Sequence, residues 1–79
     1  MLIYPNPSAG KITISIPGLE HSKGKIEVFD LLGRNTFSEE YLNIGSSDLQ
    51  IDLSTLSKGK YILKVLNKNQ FITKKIILQ

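Results

Sequence analysis

Lys11–Ile16 reads KITISI. In an extended chain Ile12, Ile14 and Ile16 share one face, and Lys11, Thr13 and Ser15 share the other. A helix has period 3.6 and cannot sort these residues this way, so the stretch is a strand with one buried and one wet face. On its N-terminal side stands YPNPSAG, Tyr4–Gly10, a stiff corner. Proline fixes φ and pushes the residues before it, Tyr4 and Asn6, to extended geometry. On its other side Pro17-Gly18 ends the strand.

The same period recurs along the chain. HSKG, His21–Gly24, reads as a polar connection. In KIEVFD, Lys25–Asp30, Ile26 and Val28 share a face. DLLGR, Asp30–Arg34, has the form of a hairpin loop: Asp30 accepts from nearby backbone, and Gly33 supplies the positive φ of a type I turn plus bulge. A return strand covers Asn35–Leu42, and NIGSSD is a loop. Leu49, Ile51 and Leu53 align in LQIDL. STLSKG is too short for a stable helix and reads as at most one turn, with Ser54 capping and Leu56 docking inward. In KYILKVL, Tyr61, Leu63 and Val65 face one way, with Ile62 and Leu66 opposite. NKNQ is a turn, and FITKKIIL is the last strand. No segment holds a helical period. About seven short strands with regular turn signals predict an all-β, antiparallel β-sandwich.

The last strand mixes its faces. One phase holds Ile72, Lys74, Ile76 and Leu78, and the other Phe71, Thr73, Lys75 and Ile77. A central strand would not tolerate lysine in both phases. An edge strand would, since lysine discourages edge-to-edge pairing, and a bulge at Lys74-Lys75 would also resolve the conflict.

Composition narrows the function. A chain of 79 residues makes one domain, expected to span residues 1–79. Such a domain buries only about 60% of its unfolded surface. There are no cysteines, so disulfides, zinc clusters and thiol nucleophiles are excluded. Net charge is +3, but the basic residues are scattered and Lys74-Lys75 is their only adjacent pair. The tyrosines and phenylalanines sit in strand-like segments and read as packing residues. Nucleic-acid binding, which uses a clustered basic face with stacking aromatics, is not expected. No apolar run approaches the about 20 residues of a spanning helix, and MLIYPNP is not a signal peptide.

Chemistry is sparse. His21 is the single histidine, in a polar loop. Glu39 and Glu40 are adjacent, so on a strand they point to opposite faces and cannot act as an acid–base pair. Asp48 and Asp52 read as solvated carboxylates. No calcium loop, phosphate loop or nucleophile elbow occurs, and Pro7 spoils Asn6-Pro7-Ser8 as a glycosylation acceptor. No catalytic residue, metal ligand or cofactor is assigned, and the domain is not expected to be an enzyme.

Four landmarks remain, in order: YPNPSAG (4–10), VFDLLGR (28–34), LSTLSKGKY (53–61) and KKIILQ (74–79). Together they resemble the C-terminal sorting domain of the type IX secretion system of Bacteroidota, of its type A class. Pro5, Asn6, Pro7 and Gly10 match the opening motif, Gly33 and Arg34 the middle hairpin, and Gly59 and Tyr61 the L-x-x-G-x-Y segment. Lys75 with Ile76, Ile77 and Leu78 matches the closing segment. Ser57 and Lys60 depart from the pattern at loop edges.

The resemblance implies an immunoglobulin-like β-sandwich at the end of a larger exported protein. Met1 would then be an artificial start and Gln79 a natural end. The implied partners are the outer-membrane translocon, its shuttle and a sortase-like peptidase that removes the domain. The cargo passes through the periplasm to the cell surface or the medium. Pro5, Asn6, Pro7, Gly10, Gly33, Arg34, Gly59 and Tyr61 are expected to be structural. Lys74, Lys75, Ile76, Ile77 and Leu78 are the expected contact with the machinery, by strand addition; a lysine-guarded edge is the competing reading. An edge-strand homodimer is also open to such a strand. The alternative functions are a carbohydrate-binding or adhesive module, which would present exposed coplanar aromatics, and a passive spacer.

Overall fold

A computed structural model describes residues 1–16, 22–44, 48–68 and 70–79. Pro17-Gly18, His21, the glycine–serine part of NIGSSD and one position of the NKNQ turn lie outside the described residues.

The strands are β1 (Leu2–Tyr4), β2 (Lys11–Ser15), β3 (Ser22–Asp30), β4 (Asn35–Ile44), β5 (Leu49–Asp52), β6 (Gly59–Asn67) and β7 (Gln70–Leu78). They form two antiparallel sheets, ordered β1-β2-β5 and β4-β3-β6-β7. Hairpins join β3 to β4 and β6 to β7, while the chain crosses between sheets from β2 to β3, β4 to β5 and β5 to β6. These crossings are those of an immunoglobulin-like sandwich. Among the described residues there is no helix.

Alternation builds the core. Ile12, Ile14, Ile16, Ile51 and Leu53 come from one layer, and Ile26, Val28, Leu63, Val65 and Ile76 from the other, all buried. β2 and β6 bury every second side chain, as period 2 requires, while β4 buries only Ile44 and β7 only Ile76 and Leu78. β3 starts earlier than its apolar pattern suggests. Ser22–Gly24, read as a connection, already belong to the strand, because Gly24 lets the Ile44 side chain in: a Cβ there would lie 2.7 Å from Ile44 Cγ2. β4 likewise runs on to Ile44, which is fully buried.

STLSKG is a turn without a helix. Its cap comes from outside, since the Ser54 N–H donates to Asp52 Oδ1 (2.9 Å), and Leu56 packs on the core from a half-buried position. Two aromatics read as packing residues are exposed instead, Tyr4 at 46% and Phe71 at 63%. Each lies on the outer face of its sheet: Tyr4 alternates with buried Ile3, and Phe71 pairs with Leu66 on the face opposite buried Leu63 and Val65.

β7 is an edge strand, and its pairing with β6 runs from Gly59↔Leu78 to Asn67↔Gln70 without a register shift. Of the two ways to place its lysines, the edge therefore holds and the bulge does not. The strand is also split along its length: Gln70–Lys75 are exposed, whereas Ile76 and Leu78 are buried.

Candidate recognition surface

The four landmarks, far apart in sequence, meet at one end of the sandwich. Asp30 pairs with Tyr61, Tyr61 with Ile76, Gly59 with Leu78, and Ser8 bridges to Leu78 in parallel. Only the chain crossings bring them there, since no landmark is the sequence neighbour of the next.

The opening corner closes the C-terminal part of the β7 edge. Ser8 N–H donates to the Ile77 carbonyl (2.9 Å), and Gln79 N–H donates to the Ser8 carbonyl (2.8 Å). Asn6 continues the ladder with its side chain. Its Oδ1 accepts from Ile77 N–H (3.1 Å), and its Nδ2 donates to the Lys75 carbonyl (3.2 Å). Both Tyr4-Pro5 and Asn6-Pro7 peptide bonds are cis. Ser8, buried at 4%, also donates its hydroxyl to the Lys11 carbonyl and accepts from Gly10 N–H. Sequence reasoning passed over Ser8, whose backbone partner Ile77 lies far along the chain.

Gly10 is required by space as well as by conformation. Its φ is 137°, and a Cβ on it would stand 2.6 Å from Ser54 Cα. Its carbonyl accepts from Leu53 N–H (2.8 Å), tying the corner to the end of β5.

The middle hairpin takes the expected form. Gly33 has φ 85° and its N–H donates to the Asp30 carbonyl (3.0 Å). Asp30 Oδ1 accepts from the backbone N–H groups of Leu32 and Arg34, each at 2.9 Å, and Oδ2 pairs with Arg34 Nε at 2.7 Å. The Arg34 backbone N–H, aided by its guanidinium and by Leu32 N–H, holds the Asp30 carboxyl below its ordinary range. Leu31 and Leu32 at the tip are exposed. Between this hairpin and the β5–β6 turn runs an open groove, lined among others by Asp30, Arg34, Thr36, Leu56, Lys58 and Tyr61. The Tyr61 ring is buried and its hydroxyl donates to the Ser57 carbonyl, which fastens that turn.

The closing segment divides by face. Ile76 and Leu78 point into the core and are unavailable to a partner of the folded domain. Lys74 and Lys75 are exposed and Ile77 is half-buried. Lys74 shares the inner face with Ile76 and donates to the Met1 carbonyl (3.2 Å); Lys75 and Ile77 face outward. Next to them the Lys64 ammonium lies over the Phe71 ring at 4.6 Å.

The glycan-binding alternative finds no platform. Tyr4 and Phe71 lie in different sheets, the Tyr4 hydroxyl donates to Asp48 (2.9 Å), and Phe71 is engaged by Lys64. Among the described residues no three His, Asp or Glu side chains gather as metal ligands would, and no helix is long and apolar enough to cross a membrane. No curated protein matches the chain. The shared end built by the corner, the hairpin, the turn and the closing strand is accounted for by one match over residues 2–79: the chain belongs to the family of secretion system C-terminal sorting domains.

Proposed function

We propose that this type IX sorting signal is read through the exposed part of β7, with Lys74, Lys75 and Ile77 as the contacting side chains and Ile76 and Leu78 as the anchors that hold them in place. A domain of this family directs secretion to the cell surface or beyond and is not of an enzyme family. The observation that carries the contact is the division of one segment into a buried apolar half and an exposed basic half on a strand edge. Strand addition supplies affinity through the backbone, and the lysines supply selectivity. The partners are the outer-membrane translocon with its shuttle and sortase components, met on the periplasmic side. The same edge is open to a second copy, so self-association and machinery binding compete for it.

The test is export of a fluorescent reporter carrying an inner-membrane signal peptide and this domain, in a type IX secreting host. Lys74→Glu with Lys75→Glu should abolish export while the purified domain keeps its melting temperature. Export at the parental level by that double variant would overturn this contact.

A further inference from the structure

The two edges of the four-stranded sheet carry opposite charge in matching positions. On β7, Lys74 faces inward and Lys75 outward; on β4, Glu39 faces inward opposite buried Ile26, and Glu40 faces outward opposite Lys25. These four side chains are all exposed. Both edges are also open in the backbone. Ile77 turns its N–H and carbonyl away from β6, toward Asn6 and Ser8, so by the two-residue period Phe71, Thr73 and Lys75 turn theirs away as well. The same parity, carried across β6 and β3, makes Ser38, Glu40 and Leu42 the outward-bonding residues of β4.

We infer that β7 of one copy of this chain pairs with β4 of the next, antiparallel, so that the sheet continues from copy to copy. The strand directions allow it, since β7 runs antiparallel to β6, β6 to β3 and β3 to β4. In one register every requirement agrees. Phe71 and Thr73 bond to Leu42 and Glu40 of the second copy, and the Lys75 N–H, whose carbonyl is held by Asn6, bonds to Ser38. On the inner face Ile72 meets Tyr41 and Lys74 meets Glu39; on the outer face Lys75 lies diagonal to Glu40. The pairing also covers exposed Phe71 (63%), Ile72 (40%) and Leu42 (83%). Sliding β4 by two residues one way sets Ile72 against Glu39, and the other way sets it against Asn43.

Charge favours this pairing over the symmetric alternatives. A β4–β4 pair of the open residues sets Glu40 directly against Glu40 of the other copy, and like charges across a ladder are destabilising. A β7–β7 pair of Phe71–Lys75 sets Lys74 against Ile72 and Lys75 against Phe71, so it forms no ion pair and gathers four lysines along one seam. The contact is therefore heterologous and does not close, so it builds open chains of copies. The asparagine and serine of the opening corner limit it, because Ile77, Gln79 and the Lys75 carbonyl are already bonded, which leaves Phe71, Thr73 and the Lys75 N–H to pair. Such a short edge makes a weak contact.

Self-association needs no export machinery, so it is tested on the purified 79-residue chain by sedimentation from roughly micromolar to millimolar concentration. The mean mass should rise past dimer without a plateau, and 1 M salt should suppress it. Glu39→Lys/Glu40→Lys and Lys74→Glu/Lys75→Glu should each raise the dissociation constant about tenfold or more. Mixed together, those two variants should associate again, since each offers the edge the other lacks. Thr73→Pro should block assembly without disturbing β6, because that N–H points away from it. A monomer at millimolar concentration, a plateau at dimer, indifference to the glutamate changes, or failure of the mixture to associate would each overturn the inference.

Discussion

The carboxamide of Asn6 stands against Ile77 as a peptide group of a neighbouring strand would, accepting from the Ile77 N–H at 3.1 Å while its amino group donates to the Lys75 carbonyl at 3.2 Å. One side chain thus extends the short parallel bridge made by Ser8 and closes the last part of an edge that would otherwise be open to pairing. An amide is the only uncharged side-chain group that offers a donor and an acceptor at peptide spacing.

Asn6→Ala should lower stability by about 1–2 kcal/mol, the cost of two exposed hydrogen bonds and a looser corner. Asn6→Asp should do no better, since it keeps the acceptor and loses the donor to Lys75. Urea unfolding of the variants checks both, and an unchanged midpoint would refute the bridging role.

Gly10→Ala should cost more than about 2 kcal/mol, because the added carbon meets backbone, which cannot rotate away. Gly33→Ala should cost less, since its φ of 85° is strained for alanine but the space around it is open. The order of the two melting temperatures tests this.

Ile76→Ala should cost about 2–5 kcal/mol through the cavity it leaves, whereas Lys75→Glu should change stability by less than about 0.5 kcal/mol. Truncation after Lys74 removes core together with surface, so lost export in such a deletion reports unfolding. Paired stability and export measurements on the two point variants separate these effects.

Acid should act through Asp30 and Asp52. The Ser54 hydroxyl and N–H, helped by Lys11, lower Asp52, and the Arg34 and Leu32 N–H groups lower Asp30. Depressed folded values mean that both carboxylates stabilise the fold above about pH 4, and that this contribution is lost as pH falls through the folded values. In urea titrations from pH 6 to pH 2, Asp30→Asn/Asp52→Asn should flatten that decline.

Alkali should act through Tyr41. Burial, with Glu39 beside it, pushes its phenol up to about 12. The neutral form is favoured in the fold, so stability falls as pH rises from about 10 to that value. Tyr41→Phe should remove this loss together with the step near pH 12 in phenolate absorbance.

Much of the fold was legible in local pattern. Ile12, Ile14 and Ile16, then Tyr61, Leu63 and Val65, announce their faces because a strand alternates whatever it packs against. DLLGR announces its turn because Asp30 and Gly33 satisfy it within a few residues. Gly24 and Ser8 were not legible, since their reasons, the Ile44 side chain and the Ile77 carbonyl, lie far along the chain. Nor was the split of KKIIL, because its two lysines and three apolar residues alternate without showing where the opposite sheet ends.

The sequence by itself determined the strands, their buried faces, the tight hairpin and the edge character of the last strand, all set by steric and hydrophobic terms that act over a few residues. Only the tertiary structure decided that Asn6 and Ser8 seal the Ile77–Gln79 edge, that Ile76 and Leu78 are core while Lys74 and Lys75 are surface, and that Glu39 and Glu40 form the complementary edge. Those outcomes depend on which strands become neighbours, and strand order is set by chain crossings that join residues more than 60 positions apart.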